Sequence, residues 1–333
     1  MNHGLLTGLR LPNPSTTMET RWQHCPRGPI GWSHVPLHDG VGTLLLVGGG
    51  GTPPLVHNLF FHIAGCAAAR VLHIPSATGI FDEICDKRDY YSEFYDRNPA
   101  SFAFLHTYDR AVAETRAFAA PLDQATGVWI GGGSQSRLAE LFLGTDVAAG
   151  LHRLLARGGI IAGTSSGTAI LSDTMICGGY EEIEFGQGFS LYPGALVDPH
   201  FSGRRRQKRM GRAMLLRPDL VGIGIDEQTA LVVQGPYVGV VGFGGGSAWF
   251  HFADAGTEAV YRYRLGLGET LVLPTSVLET SAAALEEGLR TIRPPDILTV
   301  PDLSPDPLEG YPIKDLLARR AALQLAVRAA AVV

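Results

Sequence analysis

Gly158-Gly159-Ile160-Ile161-Ala162-Gly163-Thr164-Ser165-Ser166-Gly167-Thr168-Ala169-Ile170-Leu171-Ser172-Asp173 is the stretch whose reading decides the fold of this chain. Gly158 to Thr164, with the apolar run Ile160 to Ala162 at its centre, reads as a strand buried on both faces. It passes through a short polar turn into a second apolar run that opens a helix. Within that turn, Gly163-Thr164-Ser165-Ser166-Gly167 has the GxSxG spacing of a nucleophile elbow. Small residues flank a nucleophilic serine because the turn is tight and the hydroxyl must be pushed clear of strand and helix. The helix start behind it offers an oxyanion a free backbone N–H and the positive end of a dipole. The same letters also describe a plain turn whose serines cap the helix.

Upstream, the alternation is regular. Thr43 to Val47 is a strand, Gly48 to Gly51 a glycine run, Pro53 a helix start, and Val71 to Ala77 a second strand, which together make a β-α-β unit. The pattern then predicts a helix over Asp82–Arg97, a strand over Ser101–Thr107 and a helix around Ala111–Ala119. A strand over Val128–Gly133 follows, then helices over Gln135–Leu143 and Val147–Arg157. Such alternation predicts an α/β fold: a three-layer, doubly wound, mostly parallel sheet flanked by helices, with ligands bound beyond the carboxyl ends of its strands. Beyond Met175 the chain becomes β-rich, with strand-like pieces at Gly194–Phe201, Leu220–Glu227, Thr229–Gln234, Tyr237–Gly245 and Ser247–Phe252. The organisation expected is an irregular extension over residues 1–40, one unit over 41–293, and a Pro-rich segment with a C-terminal helix over 294–333.

Composition narrows the function. In 333 residues, 45% are hydrophobic and 18% charged, which excludes disorder as the dominant state. A net charge of -5 lacks the positive footprint of a nucleic-acid binder. The first 36 residues lack a signal-peptide pattern, and no window approaches a membrane span. The four cysteines, Cys25, Cys66, Cys85 and Cys177, show no CxxC pairing, so they read as free thiols of a cytoplasmic protein without a structural zinc site. Gly48 to Gly51 lacks the GxGxxG spacing and the lysine of a phosphate loop. His57 and His62 lack the i, i+4 spacing of a metal pair and read as packing or surface histidines. No metal and no cofactor is expected.

A nucleophilic serine needs a base, and two histidines lie downstream. His200, in Val197-Asp198-Pro199-His200-Phe201, sits at a strand end beside a stiffening proline. His251 lies in an aromatic strand and reads as packed or surface. A third member must orient the base. Glu227 emerges from an apolar strand with Asp226 as its rival, and because neighbouring strand residues point to opposite faces, at most one reaches the histidine. The order Ser, His, acid differs from that of the α/β-hydrolases, which would need His251 as base and an acid between Asp219 and Glu227.

These segments resemble the cyanophycinase and dipeptidase E family of serine peptidases. GGIIAGTSSGTAILSD resembles its GTSAGA elbow, Val197–Arg209 its DQHF segment with trailing arginines, GIGIDEQTALVV its GIGIDE segment, and WIGGGSQSRL its GGDQ turn. The resemblance runs from about Thr43 to Gly242. It implies a class I glutamine amidotransferase-like sheet, with Ser165 as nucleophile, His200 as base, Glu227 as third member, and an oxyanion hole formed by the N–H groups of Gly133 and Ser166. It further implies substrate contacts at Gln135, Asp198, Arg204, Arg206 and Arg209, the arginines holding the carboxylates of an acidic or β-aspartyl peptide. Without the resemblance, Arg204 to Arg209 reads as a solvated helix start or a nucleic-acid patch, the first being the plainer reading. The chain departs from the family pattern at Ser134, Ser166, Pro199 and Arg205, which stand for aspartate, alanine, glutamine and glycine. The expectation is a cyanophycinase-like hydrolase, with an aspartyl dipeptidase-like paralogue or a non-catalytic binding protein on the same fold as alternatives. A homodimer is expected.

Overall fold

The computed structural model describes residues 40–254, 259–273 and 282–298. Its strands, in chain order, are β1 (Thr43–Val47), β2 (Arg70–Ile74), β3 (Ser101–Phe104), β4 (Gly127–Ile130), β5 (Ile160–Thr164), β6 (Thr174–Gly178), β7 (Glu184–Gln187) and β8 (Ala195–Asp198). They continue as β9 (Val221–Ile225), β10 (Thr229–Gln234), β11 (Tyr237–Gly242), β12 (Ser247–Asp254), β13 (Ala259–Gly266), β14 (Thr270–Val272) and β15 (Asp296–Leu298).

One sheet has eight strands in the order β14-β11-β10-β1-β5-β4-β2-β3. β1, β5, β4, β2 and β3 run parallel, and β10, β11 and β14 add antiparallel strands beyond β1. In the register of β1 with β5, Val47 lies opposite Thr164, so the glycine run leaves β1 beside the elbow. A second sheet of five strands, β15-β13-β12-β9-β8, and the hairpin β6-β7 form the rest. The α/β fold with a mostly parallel sheet and the β-rich second half are as expected. β15, drawn from the stretch read as the Pro-rich tail, pairs with β13. Residues 1–39 and the C-terminal helix expected after Ile313 lie outside the described residues.

Both faces of β1, β2, β4 and β5 are buried, as their continuous apolar letters require, while the edge strand β3 is only half-buried. Along β1, Leu44 and Leu46 enter one core and Leu45 and Val47 the other. The first core is closed by helices Gln135–Phe142 and Asp146–Ala156 and by the second sheet. The other is closed by helix Pro54–Ala64 and the segment after it. There Phe60 meets Trp129 edge-on at 5.2 Å, and His57 stacks on the same indole at 4.8 Å. His73 is ringed by Tyr91, Phe94 and Phe104. Burial pushes the His57 imidazole down to about 4 and that of His73 to about 3, so both are neutral core residues.

Three expectations are corrected. Asp82–Arg97 is a string of short turns, Phe81–Ile84, Arg88–Tyr91 and Ser92–Tyr95, in place of one helix. Its buried anchors fall in two pairs, Phe81 with Ile84 and Tyr91 with Phe94, separated by the polar run Asp86 to Asp89, which offers no apolar stripe to hold a continuous helix. The helix around Ala111–Ala119 is split in two, because the Thr115 hydroxyl accepts the Phe118 N–H and starts a new helix. Cys85 and Cys177 are free, but Cys66 is disulfide-bonded, which corrects the reading of all four cysteines as free thiols. Sequence spacing does not report the closeness in space that a disulfide needs. Among the described residues, no helix is long and apolar enough to cross a membrane.

Phe60→Ala removes the ring at the centre of the second core. It is expected to lower stability by about 3–5 kcal/mol, read from the urea midpoint, with the denaturant slope unchanged.

Candidate active site

Ser165 directly follows β5 with φ 54° and ψ -120°, a conformation that side chains rarely adopt. The surrounding glycines permit it. A Cβ on Gly163 would run into the Gly167 carbonyl, and one on Gly167 into that of Ile130. Three bonds fix the turn. The Ser165 amide donates to the Val47 carbonyl at 3.1 Å, and the Thr168 hydroxyl reaches the Val47 carbonyl at 2.7 Å and that of Gly163. The helix behind the elbow is one turn long, Ser166–Ala169.

His200 follows β8 at φ 52°, its amide donating to the Gly48 carbonyl at 2.8 Å. The imidazole is buried and bridges two side chains. Nε2 lies 2.8 Å from Ser165 Oγ, and Nδ1 lies 2.6 Å from Glu227 Oε1. Burial pushes the His200 imidazole below its ordinary value. The Glu227 hydrogen bond opposes this, and the Arg204 and Arg206 charges add to it. Glu227 directly follows Asp226, which is turned the other way. The Asp226 carboxylate accepts the amides of Ser202 and Ser247, each at 3.0 Å, and the Trp249 indole N–H at 3.2 Å. It pins β9 to β12 and does not approach His200. His251 is fully buried against the Phe201 ring, with its imidazole pushed down to about 3, so it is the packed histidine of the two.

The turn after β4 stands beside Ser165. A Cβ on Gly132 would lie 3.1 Å from that of Ser165. Gly133, at φ 145°, carries a carbonyl that accepts the Ser166 hydroxyl at 2.6 Å. Gln135 is half-buried and donates its side-chain amide to the Ile176 carbonyl at 2.8 Å, joining this turn to β6.

The charged residues divide into two groups. Asp198 is 2% exposed and binds two guanidinium groups. Its carboxylate accepts Arg206 Nη1 at 2.8 Å, and Arg209 through Nε at 3.1 Å and also through Nη2. Arg209, itself buried, lies 5.3 Å from the Tyr180 ring centre. Arg206 and Arg209 are thus partners of Asp198. Arg204 is exposed, and its charge acts on His200. The segment read as a solvated helix start instead leads into a helix, Gln207–Leu216, in which Arg209 and Arg212 are buried.

Sequence reasoning missed the glycine run after β1 as part of this site. A Cβ on Gly49 would lie 2.5 Å from the His200 ring, and one on Gly50 would lie 2.6 Å from Glu227 Cβ. Both residues have positive φ, and the Gly49 carbonyl accepts the Gln228 amide at 2.8 Å. The loop lets imidazole and carboxylate rest directly on backbone. Four glycines at a strand end are the signal in the sequence for such a close approach.

A model described as Peptidase family S51 matches residues 44–241, more than half of the chain. The chain belongs to peptidase family S51. This bears out the resemblance read from the motifs and places the chain among serine-type peptidases. It is 31% identical over 194 residues to the cyanophycinase of Geminocystis herdmanii (strain PCC 6308), an alignment covering 56% of this chain and 71% of that protein. It is 34% identical over 183 residues to the cyanophycinase of Synechococcus elongatus, covering 53% of this chain and 56% of the relative's length. A crystal structure of a peptidase from an acI-B1 Actinobacterium shares the fold, with a TM-score of 0.57 at 24% identity over 70% of this chain and 98% of that one.

Asp198→Ala in this S51 peptidase leaves two guanidinium groups, one of them buried, without their counter-charge. A loss of about 3–5 kcal/mol in stability is expected by chemical denaturation. Wild-type stability in the variant would show that the carboxylate is not the clamp.

Proposed function

We propose that this S51 peptidase hydrolyses amide or isopeptide bonds next to aspartyl-type carboxylates, with Ser165 as nucleophile, His200 as general acid and base, and Glu227 orienting the imidazole. The observation that carries the reading is one imidazole that meets Ser165 on one nitrogen and Glu227 on the other. With Nδ1–H donating to Glu227, Nε2 is left to accept the Ser165 proton as Oγ attacks the carbonyl carbon. The oxyanion that forms faces the N–H groups of Gly133 and Ser166. His200 then returns the proton to the leaving amine. Water, activated by the same imidazole, splits the acyl-enzyme. An imidazole held below its ordinary pKa is neutral at pH 7, as a base must be.

For the substrate, the named relatives suggest cyanophycin, a polyaspartate carrying arginines on its side-chain carboxyls, released as β-Asp-Arg dipeptides. Arg204, exposed beside His200, is the guanidinium best placed to meet a substrate carboxylate. Arg206 and Arg209 serve it through the shape and charge that Asp198 leaves them. Their engagement by Asp198 also favours a second reading, a dipeptidase-like enzyme that grips fewer carboxylates on a short aspartyl peptide. We read the sheet as a class I glutamine amidotransferase-like fold with serine at the place of its cysteine.

Ser165→Ala is expected to lower hydrolysis of cyanophycin or of a β-aspartyl peptide panel by roughly 10³-fold or more, with products read by mass. Unchanged hydrolysis in the variant would overturn the proposal. Release of β-Asp-Arg from the polymer selects the cyanophycinase reading, and cleavage of short peptides alone selects the other. Because the base works only when neutral, kcat/KM is expected to fall as pH falls, with a midpoint below the ordinary histidine value of 6.5. A midpoint above that value would contradict His200 as the base.

A further inference from the structure

The two N–H groups offered to an oxyanion come from different segments, the turn after β4 and the elbow after β5. One side-chain bond joins them directly. The Ser166 hydroxyl donates to the Gly133 carbonyl at 2.6 Å, across 33 residues of chain. The other end of the same peptide unit is held as well, since the Ser134 N–H donates to the Ala77 carbonyl at 2.9 Å. That carbonyl also accepts Nη1 of Arg137 at 2.7 Å. The Gly133–Ser134 peptide is therefore pinned at its oxygen by Ser166 and at its nitrogen by Ala77.

Gly133 needs such holding. At φ 145°, with the Ala77 carbonyl oxygen in the space that a Cβ would take, the position admits only glycine, which has no side chain to fix its own rotation. A free carbonyl there would let the Gly133 torsions drift and swing its N–H away from the oxyanion position. Ser166 is 7% exposed, so water is poorly placed to replace its hydroxyl.

We infer that the Ser166 hydroxyl is a positioning group that holds the Gly133 side of the oxyanion hole in register with the elbow; this rests on the serine-peptidase reading above. Its effect falls on the transition state, because the negative oxygen exists only after attack, while substrate binding is untouched.

The test uses a fluorophosphonate, whose phosphoryl oxygen occupies the same hole as Ser165 is labelled, alongside peptide hydrolysis. Ser166→Ala is expected to slow labelling and kcat about tenfold, with KM within about twofold and the thermal midpoint within about 2 °C of the parent. Ser166→Cys, of similar shape but a weaker donor, is expected to fall between. Labelling of Ser166→Ala within about twofold of the parent overturns the inference. So does a loss of rate accompanied by a matching fall in thermal midpoint, which would mark general loosening. Ser165→Ala separates the two levels: if it labels as fast as the parent, the serine-peptidase reading fails and takes this inference with it.

Discussion

The bond from the His200 amide to the Gly48 carbonyl joins the two sheets where the site requires it. β8 and β9 belong to the second sheet, β1 and β5 to the first, and the side chains that meet are supplied by both. His200 therefore reaches Ser165 only if the end of β8 is locked to the end of β1. The neighbouring bond from the Gln228 amide to the Gly49 carbonyl repeats the lock for Glu227. Glycines at 48, 49 and 50 make this approach possible, since any side chain there would occupy the space of Asp226, His200 or Glu227. Backbone hydrogen bonds between sheets thus carry a geometry that side-chain packing alone would leave loose.

The charges show a similar economy. A buried carboxylate would be unfavourable alone, as would a buried guanidinium. Asp198 and its two arginines satisfy each other and stiffen the segment from β8 to helix Gln207–Leu216, on which His200 sits. That arrangement leaves Arg204 as the exposed cation next to the imidazole. Asp226 plays the corresponding part on the acid strand, spending its oxygens on three N–H groups so that its neighbour Glu227 remains available to His200.

The elbow was legible because its signal is local: small residues at fixed offsets after an apolar strand need no knowledge of the rest of the chain. The choice of Glu227 over Asp226 was only half legible. Alternation along a strand says the two diverge, but which one faces the histidine depends on where β12 lies, and that is a tertiary fact. The arginines were legible as charges and opaque as partners, since Arg206 and Arg209 meet Asp198 through a turn whose path no propensity encodes. The glycine run failed for a deeper reason. A glycine is required by what its missing side chain would strike, and those atoms lie far away in sequence. The single helix expected over Asp82–Arg97 breaks where the polar run Asp86 to Asp89 leaves a gap between the buried anchors Ile84 and Tyr91.

The neutral histidines in the second core tie folding to proton activity. In the unfolded chain His57 and His73 titrate near the ordinary value of 6.5, while in the fold they resist protonation down to about 4 and about 3. Between those limits the unfolded state binds more protons, so folding free energy is intact above pH 6.5 and drains away as the medium acidifies. The loss is about 1.4 kcal/mol per pH unit for each imidazole. The acid side is also where His200 becomes charged. Acidification therefore erodes the scaffold under β2 and β4 as well as charging the imidazole beside Ser165, and the molecule has a floor of acidity set by its core.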